Sequence, residues 1–336
     1  MNLRWMAALG LLVGLMGRAD AQTSYRVTDL GVLSSDSNSA RGEAINKDGW
    51  VAGRAPTAFR WDPAGGMISL GTFGGAASEA HGINDAGWVA GHAFTKSNYR
   101  RAFLWRSSSE GLIDLTGKNG STAWAVNNLG QVVGDASSKG FVWQNGKLTY
   151  LPILKTGAAA YALAINDGGL IGGYAYTGLS SDDYRPVYWS GGKIYTLPVQ
   201  DEASHKGMVY GSNNNGDLVG WNTTPTSAGY QTRATLWRNG RVFDLGTLGG
   251  SASYARDINN LGQAVGRSKG ADGSLRAFVW SDANGDGLFE MQDLNALVDP
   301  ASGWLLQEAF SINDNGQITG HGWLNGTSRA FLLTPQ

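Results

Sequence analysis

The chain has 336 residues, a formal net charge of −1, no cysteine, and 50 glycines against 8 prolines. A chain of this length can bury a sizeable apolar core, so neither disulfides nor a structural metal is required for stability. Near-neutral charge without a Lys/Arg run excludes bulk nucleic acid as a partner, and 16% charged residues amid abundant Gly, Asn, Ser and Thr point to a turn-rich all-β chain.

In chain order, the first element is a leader. Met1-Asn2-Leu3-Arg4 gives a short basic start, the apolar stretch from Trp5 to Gly17 is too short to span a bilayer, and Ala19-Asp20-Ala21 supplies small residues for a signal peptidase. The expectation is a signal peptide over residues 1–21, cleaved after Ala21, and a single domain over 22–336 that is secreted or periplasmic. No later stretch approaches ~20 apolar residues, so no membrane partner is expected and the mature protein reads as a soluble monomer.

The rest is one repeated unit. Seven segments follow apolar-Asn-x-x-Gly-x-x-x-Gly or a close variant, at Asn46, Asn84, Asn127, Asn166, Asn213, Asn259 and Asn313, spaced 38, 43, 39, 47, 46 and 54 residues apart. A period near 44 without helical periodicity suits a propeller blade of four strands. Strand A ends in Ile-Asn, Asn-x-x-Gly makes a tight turn, and strand B reads Gly-x-Val-x-Gly. Strand C reads Ala-Phe-x-Trp, with Trp61, Trp105, Trp143, Trp189, Trp237 and Trp280 and with Leu332 in that place in the last copy; strand D ends in Leu-Gly or Leu-Pro. The last repeat stops after Ala330-Phe331-Leu332-Leu333 without a strand D, whereas Tyr25-Arg26-Val27-Thr28-Asp29-Leu30-Gly31 is a strand D without its predecessors. One completes the other. The predicted fold is an all-β, seven-bladed β-propeller with four antiparallel strands per blade, closed by an N-terminal strand that completes the last blade and removes exposed edges.

Antiparallel pairing places the start of strand C near the end of strand D. It sets Arg101 against Asp114, Arg233 against Asp244, Arg276 against Asp293 and Arg329 against Asp29, with Thr57 against Ser69 in the first blade. Lys139 with Tyr150 and Arg185 with Thr196 break the pattern. These read as cross-strand pairs worth ~0.2–1 kcal/mol each, more for register than for stability.

The strings Asp244-Leu245-Gly246-Thr247-Leu248-Gly249-Gly250 and Leu70-Gly71-Thr72-Phe73-Gly74-Gly75, with Ala-Phe-x-Trp and Ile-Asn-x-x-Gly-x-Val-x-Gly, resemble the HAF repeat family of predicted extracellular proteins. The resemblance covers essentially the whole mature chain. It departs in having Thr or Arg where the family's name has His, and in lacking a C-terminal sorting helix. It implies an exported repeat protein and no particular activity.

One stretch carries metal chemistry. Asp282, Asn284, Asp286, Leu288, Glu290 and Asp293 fall on a twelve-position calcium-loop pattern, D-x-N-x-D-G-x5-D. Oxygen ligands at positions 1, 3, 5 and 12 and a backbone carbonyl at 7 would converge on the ion, Gly287 permitting the bend. A structural calcium ion is the expectation, with a plain Asn/Asp/Gly hairpin as the alternative. The Gly-Thr-x-Gly-Gly corners read as turns, the recurrent tryptophans as packing between blades. None of the four histidines (His81, His92, His205, His321) has metal-ligand spacing, and no nucleophile motif appears.

The variable positions point to a ligand. Three residues before each turn asparagine, strand A carries Glu43, His81, Trp124, Leu163, Tyr210, Arg256 and Phe310. A repeat keeps its scaffold constant and varies its binding face. If strand A is innermost, these side chains meet at the central channel, and Glu43, His81, Trp124, Tyr210 and Arg256 are the candidate ligand-binding residues; individual fits to unequal gaps between blades are the alternative. Two functions follow: a non-enzymatic binding or structural module for an extracellular glycan or protein, or a hydrolase or lyase acting on an extracellular polysaccharide at the channel mouth.

Overall fold

Each Asn-x-x-Gly segment folds into a hairpin turn held by its own side chain. In all seven the asparagine Oδ1 accepts the backbone N–H four residues on, as from Trp50 to Asn46 at 2.9 Å. The closing glycine takes φ between +72° and +85°, a region that disfavours any side chain. This local lock sets the A–B hairpin of every blade.

The computed structural model describes residues 24–33, 39–155, 158–178, 182–282 and 287–336; the expected signal peptide lies outside the described residues. Seven antiparallel four-stranded sheets are formed, each strand hydrogen-bonded to the next in chain order. They occupy residues 41–71, 74–114, 121–150, 160–196, 207–244, 249–293 and 304–335, numbered here blades 1 to 7, with strands A to D. In blade 7 the fourth strand is Tyr25–Asp29, antiparallel to Thr327–Pro335 with Val27 opposite Leu333. The chain is therefore a seven-bladed β-propeller closed by its opening strand. Three short 3₁₀ turns are the only helical elements among the described residues, and no helix there is long and apolar enough to cross a membrane.

The core is divided into seven wedges, one between each pair of neighbouring blades. The second residue of Ala-Phe-x-Trp fills five of them: Phe59, Phe103, Phe141, Phe278 and Phe331 are fully buried. Removing such a ring costs ~3–5 kcal/mol, several times any of the surface ion pairs. The tryptophans pack between blades as expected; the Trp189 and Trp237 indoles donate to the carbonyls of Pro152 and Pro198 in the preceding blade, at 2.8 and 2.7 Å. In the last blade, register corrects the expectation. Ile318 pairs with Leu333 as Val89 pairs with Trp105, so Leu333 rather than Leu332 holds the tryptophan position.

Three of the four expected Arg–Asp pairs form: Arg101–Asp114 at 3.0 Å, Arg276–Asp293 at 2.9 Å and Arg329–Asp29 at 3.8 Å, with Thr57–Ser69 at 2.9 Å. They reach diagonally, because the aspartate lies directly opposite the phenylalanine two residues further on, as Phe103 opposes Asp114. Arg233 does not meet Asp244. It donates instead to Gln231 Oε1 at 2.7 Å, a neighbour on the same strand face, while Asp244 Oδ1 accepts from Gly246 N–H. Lys139 lies over the Tyr150 ring, and Arg185 pairs with Glu202.

The turns close a second lock between blades. Each turn asparagine donates through Nδ2 to the backbone carbonyl of the corresponding asparagine in the next blade, and Asn313 returns to Asn46, completing seven bonds of 2.7–3.2 Å. The following residue makes a parallel rim. Its N–H donates to the side chain one blade on, from Lys47 to Asp85 Oδ1 and so round to Asn260 and Asp314 Oδ1, at 2.7–3.1 Å. The rim breaks only at Lys47, which offers no side-chain acceptor; Asn315 Nδ2 donates to the Lys47 carbonyl there instead.

Replacing Asn127 by Ala strips this buried side chain of both turn and inter-blade bonds. It should lower unfolding stability by about 2–3 kcal/mol, read as a shift in the denaturant midpoint. Leu129→Ala, at the exposed tip of the same turn, should stay within about 0.5 kcal/mol. Equal effects would show that the asparagine ring does not bind the blades together.

Candidate functional site

The seven variable strand-A residues share one backbone feature. Pairing of strand A with strand B skips a residue in every blade, between Gly42 and Ala44, Ala80 and Gly82, Ala123 and Ala125, Ala162 and Ala164, Val209 and Gly211, Ala255 and Asp257, and Ala309 and Ser311. The skipped residues are Glu43, His81, Trp124, Leu163, Tyr210, Arg256 and Phe310. A β-bulge leaves its extra residue outside the ladder and re-aims its side chain. All seven, half-buried, line one cavity of about 520 Å³ in the central channel. The structure thus brings together the five candidate ligand residues, Leu163 and Phe310.

The bulge also explains the repeat's second glycine. On strand B, Gly53, Gly91, Gly134, Gly173, Gly220, Gly266 and Gly320 lie against the bulged backbone. A Cβ on any of them would come within 1.9–2.1 Å of a strand-A carbonyl oxygen. Scaffold and site are therefore coupled: the glycine is fixed so that the bulge, and the variable side chain on it, can exist.

A second variable row escaped the sequence reading. The residue after each of those glycines is Arg54, His92, Asp135, Tyr174, Trp221, Arg267 or His321. Each stands opposite a strand-A residue two positions before the bulge, giving the cross-strand pairs Arg41–Arg54, Glu79–His92, Thr122–Asp135, Tyr161–Tyr174, Met208–Trp221, Tyr254–Arg267 and Glu308–His321. Their variation at a fixed place in the repeat was the available signal; only the register shows that they share a side of the sheet with the bulge row.

The two rows make a band with two characters. Across blades 4 to 6 runs an arc of half-buried rings. Tyr161 stacks on Tyr174 with centroids 4.8 Å apart, Tyr174 meets Tyr184 at 5.6 Å, Tyr184 meets Trp221 at 6.4 Å, and Trp221 meets Tyr254 at 6.0 Å. Arg267 then covers Tyr254 at 4.7 Å, and Arg256 lies over Tyr210 at 4.6 Å. From there the band becomes ionic. The Glu308 carboxylate takes Arg256 on one oxygen at 2.7 Å and Arg267 on the other at 3.3 Å. Arg54 pairs with Glu79 at 2.7 Å, and the Trp124 indole donates to Asp135 Oδ1 at 2.8 Å.

Burial biases this site towards neutral forms. It pushes the Glu43 carboxyl up to about 7; Arg41 opposes the shift, Glu308 adds to it, and Arg256 and Arg54 oppose it. It pushes His92 and His321 down to about 4, and it holds His81 well below the usual imidazole range. Asp135 is raised by burial against the opposing hydrogen bond from Trp124.

At the expected calcium loop, residues 283–286, and with them Asn284 and Asp286, lie outside the described residues. Asp282 Oδ2 accepts from Gly287 N–H at 3.0 Å, its Oδ1 is buried without a hydrogen-bond partner, and Leu288 and Glu290 are exposed. Both oxygens of Asp293 are engaged, one by Arg276 and one by the Asn295 N–H at 2.9 Å. The twelfth-position ligand is already committed to the blade's own cross-strand pair.

The shifts at Glu43 and His92 have opposite consequences for stability. Glu43 has a folded pKa above its unfolded value, so its contribution is present below about pH 4.5 and is lost as pH rises through 7. His92 is depressed, so its contribution is present above about pH 6.5 and is lost as pH falls towards 4. Glu43→Gln should therefore gain stability relative to the parent by about 2 kcal/mol between pH 5 and pH 8. Melting temperatures across that range check it, and a difference independent of pH would show that Glu43 ionises freely.

No protein-family model matches the chain, and no curated protein sequence matches it. Among solved structures, a mutant of the Aleuria aurantia lectin in complex with α-methyl-L-fucoside aligns at 12% identity over 80% of this chain and 96% of its own, with a TM-score of 0.35. A proposed oxidoreductase (glucose dehydrogenase) from Thermus thermophilus aligns at 14% identity over 92% of this chain and 99% of its own, with a TM-score of 0.36.

Proposed function

We propose that this chain is an exported carbohydrate-binding propeller that takes its ligand in the central channel, at the end away from the asparagine ring. The observation that carries the reading is the arc of half-buried tyrosine and tryptophan rings, leading into ion-paired arginines and carboxylates, which meets the channel cavity at Tyr174 and Arg256. Aromatic faces pack on the C–H faces of sugar rings. Guanidinium and carboxylate groups, already held in place by one another, donate to and accept from hydroxyls without reorganising. The cavity falls within the range of ~300–1,000 Å³ common to small-molecule sites. A protein partner would need a broad surface; this site is concave.

A second reading is favoured by one observation. Glu43, raised to about 7, shares the channel with Glu308, whose carboxylate is doubly ion-paired. A carboxyl held neutral by burial can donate a proton to a glycosidic oxygen, beside a second carboxylate fixed by its ion pairs. On this reading Glu43 is the proton donor.

Binding should be sought first on an array of neutral and uronic-acid glycans, then measured by calorimetry. For any glycan bound, Trp221→Ala and Tyr174→Ala should each weaken affinity at least about 10-fold, equivalent to ~1.4 kcal/mol. Undiminished affinity in both would remove the channel as the site. Chain-length analysis of the bound glycan separates the two readings: intact glycan supports binding alone, whereas cleavage that Glu43→Gln abolishes while binding persists supports hydrolysis.

A further inference from the structure

We propose that Glu79, His81 and His92 form a binding site for a divalent transition-metal ion, zinc foremost, on the wall of the central channel. Three backbone facts bring them together. Glu79 and His92 are directly opposed across the A–B hairpin of blade 2, and the bulge between Ala80 and Gly82 turns His81 out of the ladder. As a result His81 Nε2 lies 3.0 Å from His92 Nδ1, and one ligand atom from each of the three residues lies within 4.8 Å of the others.

The geometry is close to that of a bound ion. Zn–N bonds of about 2.0–2.1 Å at tetrahedral angles separate two ligand nitrogens by about 3.3–3.4 Å. Opening the His81–His92 contact by a few tenths of an ångström is a small side-chain rotation. In that hydrogen bond one of the two nitrogens is unprotonated and the other carries the proton; for both to ligate, the donor ring takes the tautomer with its proton on its other nitrogen.

The remaining contacts complete the case. Arg54 holds one Glu79 oxygen at 2.7 Å, orienting the carboxylate in the way outer partners orient metal ligands and leaving its second oxygen for the ion. The Trp124 ring packs on His81 with centroids 4.5 Å apart, fixing the imidazole plane. Two imidazoles and one carboxylate suit zinc or another borderline ion; calcium and magnesium prefer oxygen alone. With three protein ligands the ion keeps an open position, and since His81 lines the channel cavity, that position faces whatever enters it.

The test uses the full chain stripped with a chelator and the metal alone, so its outcome is independent of the glycan reading. Calorimetric titration with Zn(II), and visible absorption with Co(II), should show one tight equivalent. His81→Gln and His92→Gln should each weaken it at least about 100-fold and Glu79→Gln about 10-fold, while His205→Ala, in the connection between blades 4 and 5 and paired with Asp183, should leave it unchanged. In the unsubstituted protein, imidazole NMR signals of His81 and His92 should shift on adding Zn(II) and those of His205 and His321 should not. This second measurement stands even if a variant fails to fold. Absence of saturable binding, binding indifferent to both histidine substitutions, or shifts at the other two histidines would each overturn the site.

Discussion

The structure depends on an amide that bonds in two directions. Each turn asparagine uses its oxygen to close its own hairpin and its nitrogen to reach the next blade's backbone, and the seventh returns to the first. No apolar contact could do this, since dispersion has no direction, and seven loosely packed wedges would otherwise slide over one another. A buried amide left unbonded costs more than a bond made is worth, so the ring favours a single angular arrangement of blades. The ring closes through Asn313 and Asn46, while the opening strand separately completes blade 7 by pairing with Thr327–Pro335.

The asparagine ring lines one end of the channel with polar groups that satisfy one another. The opposite end is built from the positions the repeat leaves free. Between them lies the bulge, and it is the bulge that separates framework from function. Its glycine partner must stay small because a carbonyl presses on it; its own side chain, released from the ladder, meets no such demand. A channel residue can change from glutamate to histidine to tryptophan without altering a blade's pairing. That is the property a repeat scaffold requires to present a varied inner surface.

Chemistry in the channel follows from partial burial. Glu43, His81, His92 and His321 are pushed towards their uncharged forms, while two arginines ion-pair the Glu308 carboxylate. Neutral imidazoles keep lone pairs for a metal, and a protonated carboxyl can donate to a sugar oxygen. Both capacities come from one cause, the partial burial of these groups around a cavity of small-molecule size.

Blade number, strand order and closure were legible in the sequence because they are carried by local turn chemistry and by residues that recur at each period. The seven channel positions were legible for the complementary reason, as the places where recurrence fails. Three features were not. The meeting of His81 with His92 joins residues eleven apart, and no spacing rule relates them until strand register and bulge are both known. The row from Arg54 to His321 varies as visibly as the bulge row, yet its side of the sheet is decided by pairing. The failure of Arg233 to reach Asp244 is the third: its register matches that of Arg101 and Asp114, but Gln231 on its own strand takes the guanidinium. A one-residue change of register reverses which face a side chain occupies, and register is a property of two strands together, which only the tertiary structure fixes.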